Sequence, residues 1–209
     1  MKKLLHVIAT PRGDESRTLK VTEAFLDVFK SRFPDWSIDE LNLHKEKLPP
    51  LTLKRVDGKY ALLGGKELSG EFKEAWQEII VHIERFRSAD LYLISTPMWN
   101  FTIPYTLKHY IDIIVQPKYL FRYTGAGVEG LLKGKKMVVI ASRGGDYTGD
   151  GSKFDYQEPY LRAIFGFCGI EDITFVVGQP MEMGQELQSK KLEEAKASAR
   201  SAARGLRLG

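Results

Sequence analysis

Read for the spacing of its apolar positions, the chain falls into two kinds of segment. Leu4 to Ala9, Leu91 to Thr96, Met137 to Ser142 and Ile173 to Gly178 are nearly unbroken in apolar and β-branched residues, the pattern of strands covered on both faces. Trp36 to Leu41 reads as a weaker fifth strand. Between them the period lengthens. Val21, Ala24, Phe25, Val28 and Phe29 follow helical spacing, and Phe72, Trp76, Ile79, Ile80 and Ile83 repeat it. Ile103, Leu107, Tyr110, Ile111 and Ile114 form a third stripe, with Pro104 expected in its first turn. A fourth helix is predicted from about Gln157 to Phe167. A fifth runs from Glu186 to Leu206, with Leu192, Ala195, Ala199, Ala202 and Leu206 on its inner side.

Strands alternating with helices predict an α/β fold, because parallel strands need crossover connections. No linker, repeat or low-complexity tract divides residues 1–209, so one domain is expected. Two connections, Asn42 to about Ser69 and Gln116 to Gly134, are longer than compact domains usually carry. The second holds Tyr119, Phe121 and Tyr123, which suggests binding.

Composition narrows the function. The chain has 209 residues and one cysteine, Cys168, which excludes an intramolecular disulfide framework and suits a reducing compartment. Its apolar neighbours favour an inert thiol. No apolar stretch reaches the length of a transmembrane helix, and Leu4 to Ala9 is too short for a signal peptide core, so a cytoplasmic protein without membrane insertion is expected. The net charge is +4, but the basic residues of Lys190 to Arg207 are interspersed with Glu193 and Glu194, as on a solvated helix face. With no zinc spacing, basic run or recognition helix, neither a metal nor a nucleic-acid partner is expected.

In an open parallel sheet, ligands bind beyond the carboxyl ends of the strands. Three polar segments fall there. Thr10 to Thr18 leads through hydroxyl side chains into the first helix, whose free amides favour an anion such as phosphate. Ser16 alone would read equally as an ordinary helix cap. Pro97 to Pro104 sets Asn100 between bulky rings and suits a flat ligand. Ser142-Arg143-Gly144-Gly145 brings paired glycines that allow close backbone approach.

Taken together, Thr10-Pro11-Arg12-Gly13 with Ser16-Arg17-Thr18, Pro97-Met98-Trp99-Asn100-Phe101, Phe121-Arg122-Tyr123-Thr124, Gly134-Lys135-Lys136, Ser142-Arg143-Gly144-Gly145, Pro159-Tyr160-Leu161 and Gly166-Phe167-Cys168-Gly169-Ile170 resemble the FMN-dependent NADH azoreductase and quinone oxidoreductase family over nearly the whole chain. The resemblance implies a flavodoxin-like, doubly wound five-stranded parallel sheet with helices on both faces. It implies that Thr10, Ser16 and Thr18 hold the FMN phosphate, that Met98, Trp99, Asn100 and Phe101 line the isoalloxazine, that Ser142, Arg143, Gly144 and Gly145 contact its pyrimidine side, and that Arg17 and Pro97 also bind the cofactor. Asn100, Phe101, Tyr123 and Phe167 would form the substrate pocket, some of them supplied by the second subunit of a homodimer. Thr10 stands where serine is common and Trp99 where tyrosine is frequent.

The implied activity is reduction of quinones and azo compounds by NADH or NADPH, in two-electron ping-pong transfer through FMN with no catalytic side chain. His6 is expected in a strand, with His44 in a loop and His82 and His109 on helices. An electron-carrier flavodoxin or an NAD(P)H:flavin reductase is the rival. A receiver module is disfavoured because the strand ends carry Thr10, Thr96 and Ser142 instead of clustered carboxylates.

Overall fold

The protein is described by a computed structural model covering residues 1–208. Strand β1 (Lys3–Ile8) leads through a short 3₁₀ turn (Gly13–Glu15) to α1 (Arg17–Arg32), and β2 (Ser37–Asn42) follows. Next come α2 (Leu53–Leu63), α3 (Gly70–Arg87), β3 (Leu91–Pro97) and α4 (Tyr105–Ile114). The hairpin β4 (Phe121–Thr124) and β5 (Gly127–Gly130) precedes β6 (Lys136–Ser142), then a 3₁₀ turn (Gly149–Phe154), α5 (Gln157–Phe167), β7 (Asp172–Gly178) and α6 (Gln185–Gly205). Among the described residues no helix is long and apolar enough to cross a membrane.

Five strands form one parallel sheet in the order β2-β1-β3-β6-β7, the doubly wound arrangement expected from the sequence. Alternation along each strand sorts side chains between two cores. Leu4, Leu91, Leu93, Val138 and Ile140 meet Val21, Phe25 and Phe29 of α1 and Ala195, Ala199 and Ala203 of α6. Leu5, Val7, Tyr92, Ile94, Met137 and Val139 meet Trp76, Ile79, Ile83 and Phe86 of α3, Leu107 and Tyr110 of α4, and Leu161 and Phe165 of α5.

The structure departs from the sequence reading in four places. The segment read as a loop from Asn42 to Ser69 contains α2, which buries only Gly58 and Leu62 and so lacks a readable apolar stripe. Gly58 is required there, since a Cβ would lie 2.4 Å from Trp76 Nε1, and that indole donates to the Arg55 carbonyl at 2.9 Å. The loop read from Gln116 to Gly134 contains the antiparallel hairpin, closed over Gly125 and Ala126, with Phe121 buried in the core and Tyr123 exposed. Helix α4 starts at Tyr105, with Pro104 as its cap and Ile103 outside it, because a residue before proline is disfavoured in the α region. On α6 the buried stripe ends at Ala203, while Ala202 and Leu206 pack at its margin.

Candidate active site

Strand order reverses between β1 and β3, and the carboxyl ends of β1, β3 and β6 open there into a cavity of about 210 Å³. It is lined by Thr10, Arg12, Ser16, Arg17, Thr18, Pro97, Met98, Trp99, Ser142, Arg143, Gly144, Met181 and Glu182.

The first wall is the turn from β1 into α1. Ser16 caps α1, its Oγ accepting the Leu19 amide at 3.3 Å, so this serine is both a helix cap and part of the cavity wall. The other amides of the first turn have no partner within the helix. Thr10, Ser16 and Thr18 are all buried. Thr18 Oγ1 lies 2.6 Å from Ser142 Oγ, joining α1 to the end of β6.

The second wall follows β3. The Met98 amide donates to the Ser142 carbonyl at 2.9 Å, and Trp99 and Thr102 exchange backbone hydrogen bonds at 2.9 and 3.0 Å. Between them Asn100 and Phe101 have φ of 46° and 70°. Asn tolerates this region, but an aromatic residue there is strained by about 1 kcal/mol or more, a cost that clusters at functional loops. The turn throws both side chains outward, and Phe101 stacks on Phe154 at 5.3 Å.

The third wall follows β6. Arg143 is buried, paired with Asp155 at 2.9 Å, and its Nε donates to Gln157 Oε1 at 3.1 Å. Gln157 Nε2 in turn donates to the Pro97 carbonyl at 2.8 Å, so the loops after β3 and β6 share one support. Arg143 Nη2 is buried without a partner. At the mouth Arg17 pairs with Glu182, whose carboxyl is held below its usual range by the hydrogen bond from that guanidinium.

Hydroxyls, free helix amides and guanidinium groups suit a phosphate. The unpartnered Arg143 Nη2 suits a polar ring edge, and at Gly144 a Cβ would crowd Glu182 Cγ at 3.2 Å, so glycine leaves room beside the backbone there. The residues present therefore fit FMN.

Most of the residues expected from the sequence meet in this cavity; five do not. Asn100 lines a neighbouring 430 Å³ cleft with Trp99, Tyr105 and Tyr160. Phe101 lies against Tyr147 and Phe154, and Gly145 also faces Tyr147. Phe167 lines a larger concavity, about 840 Å³, with Thr124, Val128, Lys136 and Asp172. Tyr123, beside Thr124 on the same hairpin, shares that end of the sheet. Lys136 and Asp172 begin their strands, so this groove lies roughly 20 Å along β6 from Ser142. Size does not make it the cofactor site, since Lys136 is paired to Asp172 and Lys133 to Glu129.

Arg12 lines the cavity although only its neighbours were assigned roles from sequence, and Met181 and Glu182 come from the connection after β7. Their one sequence signal is position, just past a strand end beside Pro180 and Gly184. Among the described residues no cluster of His, Cys, Asp and Glu could hold a metal. Cys168 is buried and its thiol is pushed up to about 12 by desolvation, which leaves it inert.

The model of the flavodoxin-like fold family matches residues 2–203. FMN-dependent NADH:quinone oxidoreductase 9 of Burkholderia lata is 37% identical over 209 residues, covering 96% of this chain and 100% of that protein. The FMN-dependent NADH:quinone oxidoreductase of Desulfotalea psychrophila is 36% identical, covering 99% and 98%. Among solved structures, an FMN-dependent NADH-azoreductase from Bacillus anthracis in complex with FMN superposes with a TM-score of 0.83 at 32% identity, covering 97% and 100%.

Proposed function

The chain belongs to the flavodoxin-like fold family, and from that membership we propose that it is an FMN-dependent NADH:quinone oxidoreductase that also reduces azo compounds, working as a cytoplasmic homodimer. One observation carries the reading: three loops at the carboxyl ends of β1, β3 and β6 converge on one cavity whose donors suit a phosphate and a polar ring edge.

FMN held in this cavity would supply the redox chemistry, two-electron transfer between a nicotinamide and the acceptor. The protein positions. Thr10, Ser16, Arg17, Thr18 and the first amides of α1 hold the phosphate. Pro97, Met98, Trp99 and Gly144 border the ring system, and Arg143, fixed by Asp155 and Gln157, offers its spare N–H to the ring edge. Asn100 and Phe101, turned outward by their left-handed backbone, border the face where donor and acceptor stack in turn.

Tyr123 and Phe167 sit at the opposite end of the sheet in their own chain. Their place in the substrate pocket therefore requires a second subunit that brings its hairpin over the first subunit's cavity. The exposed Tyr123 and Val128 suit such burial.

The test is steady-state oxidation of NADH with a soluble quinone and no partner protein. A shared stacking face gives parallel double-reciprocal plots and inhibition by excess quinone that competes with NADH. Intersecting plots would mean two separate sites, and turnover only with a protein acceptor would favour the electron carrier.

A further inference from the structure

His6 lies in the middle of β1 on the face that packs against α1, which it shares with Leu4 and Leu93. Across the sheet it stands opposite Leu93 of β3 and Glu40 of β2, and it is buried, as are Ser95, Thr22 and Thr18. His6 Nε2 is 2.8 Å from Ser95 Oγ. Ser95 Oγ is 2.7 Å from Thr22 Oγ1, and Thr22 Oγ1 is 3.0 Å from the Thr18 carbonyl.

Counting protons gives the chain a direction. A carbonyl only accepts, so the single hydroxyl proton of Thr22 goes to Thr18. The Thr22–Ser95 contact must then use the Ser95 proton, and the Ser95–His6 contact must use an imidazole N–H. His6 is thereby assigned the Nε2–H tautomer, with Nδ1 as a bare acceptor, and Nδ1 indeed has no partner. Burial, with Lys30 adding to it, lowers the His6 pKa to about 4, so the imidazole stays neutral.

The chain ends on the first turn of α1, whose residue Thr18 also binds Ser142 through its own hydroxyl. We propose that His6 is a positioning residue for the cofactor phosphate: through Ser95 and Thr22 it anchors the first turn of α1 to the sheet, so that Ser16, Thr18 and the free amides are preorganised. Without the imidazole donor the Ser95 hydroxyl can turn away from Thr22, which leaves the Thr18–Ser142 bond as the side-chain tie between this turn and the sheet. This inference rests on reading the cavity as the FMN phosphate site.

The experiment compares binding of FMN and riboflavin, which differ only in the phosphate, by flavin fluorescence titration of the full chain. The proposal expects His6→Leu and Ser95→Ala each to weaken FMN about tenfold, as for one lost hydrogen bond at a charged group, while riboflavin affinity stays within about twofold. His6→Gln, which returns a side-chain N–H, restores most of the preference. Nitrogen NMR of the wild-type imidazole shows the Nε2–H tautomer.

Equal affinity of the wild type for the two flavins would overturn the phosphate reading itself. A strong wild-type preference for FMN that both variants retain, or equal weakening of both flavins, would overturn only the role of His6. So would the Nδ1–H tautomer, a result that needs no variant to fold.

Discussion

At the carboxyl end of the sheet the hydroxyls and the guanidinium around the cavity are buried and tied to neighbouring elements, whereas at the amino end the groove is edged by side chains standing in solvent. Thr18 is bound to Ser142, Arg143 to Asp155 and Gln157, and Gln157 to the Pro97 carbonyl. Tyr123 and Val128 are 63% and 44% exposed, and the pairs Lys136–Asp172 and Lys133–Glu129 lie at the surface. One end is held by hydrogen bonds within its own chain, with only Arg143 Nη2 of this network left for a ligand. The other stands open to solvent.

The largest expected effect breaks the amino end alone. At Gly130 a Cβ would stand 2.2 Å from the Gly169 nitrogen and 2.3 Å from the Cys168 carbonyl carbon, and backbone atoms cannot give way as a flexible side chain can. Gly130→Val should displace the hairpin and abolish quinone reduction while bound FMN, read from flavin absorbance, stays near wild type. Loss of FMN in parallel would show that the two ends are not separate.

The next effect is on stability. A free histidine titrates near 6.5, but His6 in the fold titrates at about 4 because burial disfavours its charged form. Between those values the unfolded chain binds a proton that the folded chain refuses. The stability held at neutral pH is therefore lost as pH falls from about 6.5 to 4, by up to about 3 kcal/mol from this group. His82 is shifted in the same direction and remains in both proteins, so urea unfolding of wild type and His6→Gln across that range isolates His6. The variant should show the shallower loss; equal slopes would contradict the assignment.

Within the cavity, Ser16→Ala removes a hydroxyl expected to bond the phosphate. It should weaken FMN about ten- to a hundredfold, or roughly 1.5–3 kcal/mol, without altering the sedimentation of the protein. The smallest effect is at the amino end. Glu129 is lowered to about 2 by Lys133 and Arg122, but the group faces solvent and such pairs are screened. Glu129→Gln should leave thermal unfolding in physiological salt indistinguishable from wild type.

The same contrast governs what the sequence made legible. The five sheet strands and the long helices are written in periodicity, and the hydroxyls of the first turn, the Pro97 to Phe101 loop and the Ser142 to Gly145 loop stand at strand ends where ligands bind. Helix α2 was hidden because its centre is a glycine seated on Trp76, so little of it is buried. The hairpin was hidden because its strands have four residues each and mostly face solvent. Met181 and Glu182 reach the cavity through the path of the chain after β7, which local spacing does not encode. The His6 chain depends on two strands placing His6 and Ser95 on one face, a matter of register.

The claim that each cavity is completed by the opposite end of a second subunit has one direct test. Ser16→Asp places a carboxylate in the phosphate site, and Tyr123→Asp disables the covering hairpin, so each homodimer should be inactive. A heterodimer of the two, isolated through different affinity tags, pairs the intact cavity of one chain with the intact hairpin of the other. The account predicts that its NADH:quinone activity returns to about half that of wild type, one working site of two. A heterodimer as inactive as its parents, or a wild-type protein that is monomeric and fully active, would contradict it.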